Sequence, residues 1–246
     1  FDALIAGSVP DVYDELDHQL ARLGVEPDAT RTPLRFGTWV GGDRDGNPNV
    51  TPTVTMHVLR IQHVHAVRTL IAKVEDLAAE LSSSDRIVGV SDELVESLTA
   101  DAVSFPEVHS RFTTLSAGEP YRQKLAFIHQ RLRSTLEAFE QGAKPGDDGY
   151  ASPDVLVSDL ELIRRSLLLN QGQVIASGAV SRLIHLVSAF GFRLATMDVR
   201  EHAAKHHETL DALYRNVDIA YGDMSAPERR DLLVTELSGR RPIAST

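Results

Sequence analysis

The chain has 246 residues, 42% of them hydrophobic and 24% charged, with a formal net charge of −10 and no cysteine. That length and apolar content suit one large domain or two small ones around a real core, and exclude disordered, collagen-like and coiled-coil compositions. The absent cysteines exclude disulfide frameworks, thiolate zinc sites and cysteine nucleophiles, and the acidic balance speaks against a nucleic-acid partner while leaving room for a small anion held by local arginines.

Helical periodicity dominates the chain in order. Val12, Leu16 and Leu20 form a first stripe that closes at Gly24. Leu34 to Val40 breaks the pattern: it is short, aromatic-containing and followed by Gly41-Gly42, and reads as a buried strand. Thr51 is a suitable N-cap with Pro52 at the first helical position. From there Ile61, Val64, Val67, Leu70, Val74, Leu77 and Leu81 recur at three- and four-residue steps, and Ser82 to Asp85 ends that long helix. Further helical stripes run over Leu94 to Leu98, Tyr121 to Phe139, Val155 to Leu169 and Val180 to Phe190, the last with Gly191 as terminator. The intervening Gln141 to Ser152, rich in Gly, Pro and Asp, reads as a surface loop that reaches Pro153. Phe192 to Val199 is apolar on both faces and reads as a second buried strand, before helices over Leu210 to Tyr214 and Arg229 to Leu237. Two β-then-α units among so many helices suggest parts of a barrel or parallel sheet whose other strands lie elsewhere. No run approaches the eighteen or so apolar residues of a membrane span, and no basic-then-apolar signal segment is present. The expectation is a cytoplasmic protein without a membrane partner. The chain starts at Phe1 without methionine and ends just after Arg240-Arg241-Pro242, so we read it as a piece of a longer polypeptide.

Three segments carry chemistry. In Gly41-Gly42-Asp43-Arg44-Asp45-Gly46-Asn47-Pro48-Asn49, glycines allow close backbone approach to a ligand and the Asp, Arg and Asn side chains supply charge and donors. A calcium loop is excluded, because Pro48 and Val54 stand where glycine and glutamate are required. Either a ligand-binding loop or a turn-rich connection fits the residues alone. In Met197-Asp198-Val199-Arg200-Glu201-His202 an arginine follows a strand directly, at the end where barrel enzymes hold substrates. Its guanidinium suits a phosphate or carboxylate, or else a structural ion pair with Asp198 or Glu201. His202 and His206 lie four apart, close enough for a metal, but no third ligand is identifiable and solvated or capping roles fit as well.

The segment Phe36 to Thr51 (FGTWVGGDRDGNPNVT) resembles the FxSWxGGDRDGNPxVT signature of the phosphoenolpyruvate carboxylase family. Met197 to His206 is similar to that family's DIRQES-x-R-H segment, and Leu232 to Pro242 to the helix and RP turn that follow. The intervening helices arrive in the same order, and the resemblance covers nearly the whole chain but only about a quarter of a family enzyme.

The resemblance implies a fold class: a mainly α-helical fragment carrying two strands of a phosphoenolpyruvate carboxylase-type (β/α) barrel, a single partial domain over residues 1–246. It implies a cytoplasmic, tetrameric, allosteric lyase that fixes carbon dioxide. Such an enzyme makes oxaloacetate and phosphate from phosphoenolpyruvate and bicarbonate with Mg²⁺ or Mn²⁺, and so feeds the tricarboxylic acid cycle. Arg200 matches the family's active-site arginine beside the substrate phosphate, and Gly41, Gly42, Asp43, Arg44, Asp45 and Asn47 match the loop beside the same pocket. The catalytic histidine, the metal-binding acids, the catalytic lysine segment, the glycine-rich mobile loop and the feedback site have no counterpart in this chain. The resemblance therefore implies no metal ligand here, a need for the rest of the same polypeptide, and no activity for the piece alone. Two residues depart from the pattern: Glu201 stands where the family usually has Gln, and His202 where it has Glu. A carboxylate at Glu201 is expected to draw Arg200 into an ion pair. The alternative is a non-catalytic helical module serving as a binding or regulatory scaffold.

Overall fold

In the computed structural model, which describes residues 7–25, 32–81, 89–115 and 118–239, the apolar periodicities become helices. In chain order they are α1 (Val9–Arg22), α2 (Pro52–Glu80), α3 (Asp92–Ser104), α4 (Pro106–Leu115), α5 (Pro120–Glu140), α6 (Pro153–Leu169), α7 (Gln173–Phe190), α8 (Ala203–Arg215) and α9 (Ala226–Ser238). Two short strands, β1 (Gly37–Thr38) and β2 (Thr196–Met197), pair in parallel. The chain is mainly α with two parallel strands, as the barrel expectation requires. It separates into two compact units, one built from the chain up to Thr38 together with 56–196, the other from Trp39–Thr55 and the chain from Met197 onward.

The first unit holds the main core. Ala66, Val67, Leu70, Ile71, Val74, Leu77 and Leu81 bury one face of α2, matched by Leu125, Ile128 and Leu132 of α5 and by Leu156, Leu160, Ile163 and Leu167 of α6. The expected terminator of α2 at Ser82 to Asp85 lies outside the described residues. Ser91 caps α3 by accepting the Leu94 amide, and Gly191, at φ +58°, ends α7 in a conformation that side chains disfavour. α1 docks on α7 through Tyr13, stacked on the buried His185 ring at 4.6 Å, while Asp17 stands 3.5 Å from that ring. Burial raises the Asp17 carboxyl above its ordinary value, against the pull of His185.

A polar cluster lies inside this apolar frame. Lys124 of α5 is 1% exposed, and its ammonium donates to Asp101 and Ser97 of α3 at 2.8 and 2.9 Å. It also pairs with Asp159 of α6 at 2.8 Å. Asp159 in turn accepts from Arg131 at 3.0 Å and from the Tyr150 hydroxyl at 2.7 Å, and Arg131 lies 4.1 Å over the Tyr150 ring. Burial and the neighbouring Asp159 push the Tyr150 phenol well above its ordinary range. The segment between α5 and α6 is irregular, as its composition suggests, yet Gly149 and Tyr150 within it are buried, with the Tyr150 amide donating to Thr135 at 2.8 Å.

Several expectations are corrected. Among the described residues only two residues of each expected strand, Gly37–Thr38 and Thr196–Met197, enter a ladder. Phe192, Leu194 and Ala195 are buried, but Trp39, Val40 and Val199 are more than half exposed, so the strand ends are not buried. α4 falls where no helix was expected, and α7 starts before Val180, with a wider π-type turn at Ala176–Val180. α7 is also long and apolar enough, by length and composition, to cross a membrane, which the sequence reading did not anticipate. Half of it is buried inside this unit.

In the second unit α8 packs beside a short 3-10 turn at Tyr221–Asp223. The Tyr214 and Tyr221 rings stack at 5.3 Å, His207 Nδ1 lies 3.0 Å from the Tyr221 hydroxyl, and the Arg229 guanidinium lies 5.2 Å from the Tyr221 ring centre. Ser225 and Glu228 form a reciprocal capping box at the start of α9.

Candidate active site

The Gly41–Asn49 loop and the Met197–His202 segment lie in the second unit, where a parallel β-bridge pairs Asp43 with Arg200. The Arg44 amide donates to the Arg200 carbonyl at 2.9 Å, and the Arg200 amide donates to the Gly42 carbonyl at 3.0 Å. Residues 157 apart in sequence thereby become neighbours.

The glycines explain how the backbones come so close. A Cβ on Gly42 would penetrate the Asp198 carbonyl oxygen and lie 3.0 Å from Met197 Cγ, so no side chain fits there without moving the bridge. Gly41, at φ +82°, turns the chain back so that the amides of Gly42 and Asp43 both reach the Trp39 carbonyl, at 2.9 and 3.1 Å. Further on, the Asn47 side chain accepts the Asn49 amide at 3.1 Å, the Asx turn that its residue type favours. Asp45 and Asn47 are exposed.

The charged groups pair crosswise between the two segments. Arg200 donates to Asp43 Oδ2 at 3.2 Å, and Arg44 stands 3.9 Å from Glu201. The expected partners of Arg200 are thus replaced: a parallel bridge sets Arg200 against Asp43 and leaves Glu201 facing Arg44. The two arginines differ in freedom. The Arg200 side chain is 63% exposed, in a solvent-screened pair worth about 1 kcal/mol or less. The Arg44 side chain is 23% exposed and also donates to Thr55 Oγ1 at 3.3 Å. Arg44 Nε and Asp43 Oδ1 are buried without a hydrogen-bond partner among the described residues.

Thr55 is the site residue that sequence reasoning missed. It is 4% exposed in the first turns of α2, and its hydroxyl lies 2.7 Å from the Gly41 carbonyl, to which it donates. Its one sequence signal is spacing: Thr51 caps α2 by accepting the Val54 amide at 3.3 Å, and a second threonine four residues later returns to the same side.

The histidines serve helix ends and ring contacts. His202 Nδ1 accepts the Ala204 amide at 3.2 Å and caps α8, His207 is engaged by Tyr221, and His206 is exposed. Among the described residues no three His, Cys, Asp or Glu side chains converge as a metal set.

A family model described as phosphoenolpyruvate carboxylase matches residues 1–246. A phosphoenolpyruvate carboxylase of Roseiflexus castenholzii is 37% identical over 257 residues, covering 100% of this chain and 27% of the relative. Those of Synechococcus sp. (strain WH7803) and Rhodopseudomonas palustris (strain BisA53) are 35% and 34% identical, covering 99% and 100% of this chain and 26% of each relative. The chain spans about a quarter of the length of the curated relatives it matches. With the family's two motifs joined backbone to backbone and the family model matched from end to end, this chain belongs to the phosphoenolpyruvate carboxylase family.

Proposed function

We propose that the chain supplies the phosphate-binding part of the active site of a full-length phosphoenolpyruvate carboxylase. The observation that carries this reading is the parallel bridge that joins the Gly41–Asn49 loop to Arg200. It presents one loosely paired guanidinium and one restrained guanidinium beside a glycine turn.

In the proposed reaction, bicarbonate oxygen attacks the phosphorus of phosphoenolpyruvate. The bond from phosphorus to the enol oxygen breaks, leaving carboxyphosphate and the enolate of pyruvate. Carboxyphosphate then releases phosphate and carbon dioxide, and the enolate carbon attacks carbon dioxide to give oxaloacetate. Arg200 exchanges Asp43 for the substrate phosphate and stabilises the charge gathering on the phosphoryl oxygens during transfer. The released Asp43 carboxylate stays at the rim of the site. Arg44 holds a second positive charge nearby, and Gly41 and Gly42 let the loop backbone approach the ligand. In this reading the donors for Mg²⁺ or Mn²⁺ are supplied by the rest of the full-length polypeptide. The same reading makes the full-length protein a cytoplasmic homotetramer that supplies oxaloacetate to the tricarboxylic acid cycle, and the 246-residue chain inactive by itself.

The test is oxaloacetate production dependent on both phosphoenolpyruvate and bicarbonate, with the full-length polypeptide and this chain assayed side by side. An active full-length protein and a silent chain are expected. A silent full-length protein would overturn the reading in favour of a helical scaffold.

A further inference from the structure

The two arginines of the site are held differently, and the difference traces to one buried hydroxyl. Thr55 Oγ1 accepts from the Arg44 guanidinium at 3.3 Å and lies 2.7 Å from the Gly41 carbonyl and 3.2 Å from the Thr51 carbonyl. It therefore ties the second turn of α2, the glycine turn and the restrained arginine into one unit. A threonine this far up a helix would satisfy itself on the carbonyl four residues back. Here the shorter contact goes to Gly41, the residue whose positive φ sets the course of the loop.

Arg44 gains direction from this arrangement. Its side chain is held by Thr55 on α2 and by Glu201 beyond β2, and its Nε is sealed from solvent without a hydrogen-bond partner among the described residues. The Glu201 contact, at 3.9 Å, is an ion pair beyond hydrogen-bond length, so among the described residues the directional hold on the guanidinium is the Thr55 hydroxyl.

We propose that Thr55 is a positioning residue that fixes the Arg44 guanidinium and the Gly41 turn in the substrate-binding arrangement. This rests on the reading of the site as a phosphoenolpyruvate-binding site. Thr55 touches no reacting atom; it acts through Arg44.

The experiment compares Thr55→Val, Thr55→Ser, Arg44→Gln and the double variant Thr55→Val/Arg44→Gln in the full-length enzyme, with steady-state kinetics and thermal unfolding for each. Thr55→Val keeps the volume and removes the hydroxyl, and it is expected to raise the KM for phosphoenolpyruvate roughly ten- to hundredfold, the scale of a hydrogen bond to a charged group. Thr55→Ser restores the hydroxyl and recovers most of that loss. In the Arg44→Gln background, Thr55→Val costs little more, because residues acting through one another are not additive. Three results overturn the proposal: an unchanged KM in Thr55→Val, a full additional loss in the double variant, or a loss in Thr55→Ser equal to that in Thr55→Val. If Thr55→Val fails to fold, Thr55→Ser against Thr55→Ala supplies the same comparison. Failure of the underlying reading is distinct, since the unaltered enzyme would then make no oxaloacetate.

Discussion

Replacing Lys124 by methionine tests whether the buried polar cluster holds the larger unit together. The Lys124 side chain is 2% exposed and neutralises Asp101 and Asp159, each 15% exposed, at 2.8 Å. Methionine preserves much of the volume but removes the charge from between two carboxylates. Asp159 keeps Arg131 and the Tyr150 hydroxyl, whereas Asp101 loses the one ion-pair partner it has among the described residues. Removing one partner of a buried pair costs about 3–5 kcal/mol, a large share of the roughly 5–15 kcal/mol by which proteins of this kind are stable. With a urea dependence of about 2–3 kcal/mol per molar, the unfolding midpoint drops by about 1–2 M. Helical circular dichroism is the suitable probe, since most helices lie in that unit. Adding Asp101→Asn to Lys124→Met removes the stranded charge and recovers part of the loss. A Lys124→Met midpoint within about 0.2 M of the unaltered protein would mean that the cluster does not hold this unit together.

Other expectations concern the bridge and the tyrosines. Gly42→Ala forces a Cβ into the Asp198 carbonyl, at a cost of about 1–3 kcal/mol, so hydrogen exchange at the Arg44 and Arg200 amides accelerates by roughly tenfold or more. Exchange rates unchanged at both amides would count against the close-approach argument. Burial holds the Tyr150 phenol well above its ordinary value of 10.0, and the Tyr13 and Tyr121 phenols are raised too. A phenol raised on folding contributes stability that is complete below pH 10 and is lost as pH climbs through the folded value. Tyr150 therefore resists ionisation while the chain is folded and titrates with alkaline unfolding, read by ultraviolet absorbance. Tyr150→Phe flattens the fall in stability above pH 10.

What was legible in the sequence follows the reach of each signal. α2 was readable from both its apolar stripe and its start, because Thr51 and Pro52 act within one turn and do what their types dictate. Gly191 marked the end of α7 for the same local reason. α4 (PEVHSRFTTL) was not readable, since a ten-residue segment with few apolar positions carries too little periodicity. Both strands were drawn too long because apolar runs report burial, whereas strand length depends on a partner far away in the chain. At the site, the motif residues announced themselves by type. Their pairing did not: Asp43 meets Arg200, and Glu201 meets Arg44, only through a bridge across 157 residues. Lys124 was hidden for a similar reason, as one polar residue on a helix whose partners sit on α3 and α6.

In the proposed reaction the bridge presents Arg200 to a transferring phosphoryl group. The most direct measurement is phosphoenolpyruvate- and bicarbonate-dependent turnover of the full-length enzyme with Arg200 intact and with Arg200→Ala, both checked for equal helical content. Oxaloacetate formation is expected from the first and a loss of about a hundredfold or more in the second, the scale of removing one charge-stabilising donor. Equal turnover in the two proteins would contradict that role of Arg200.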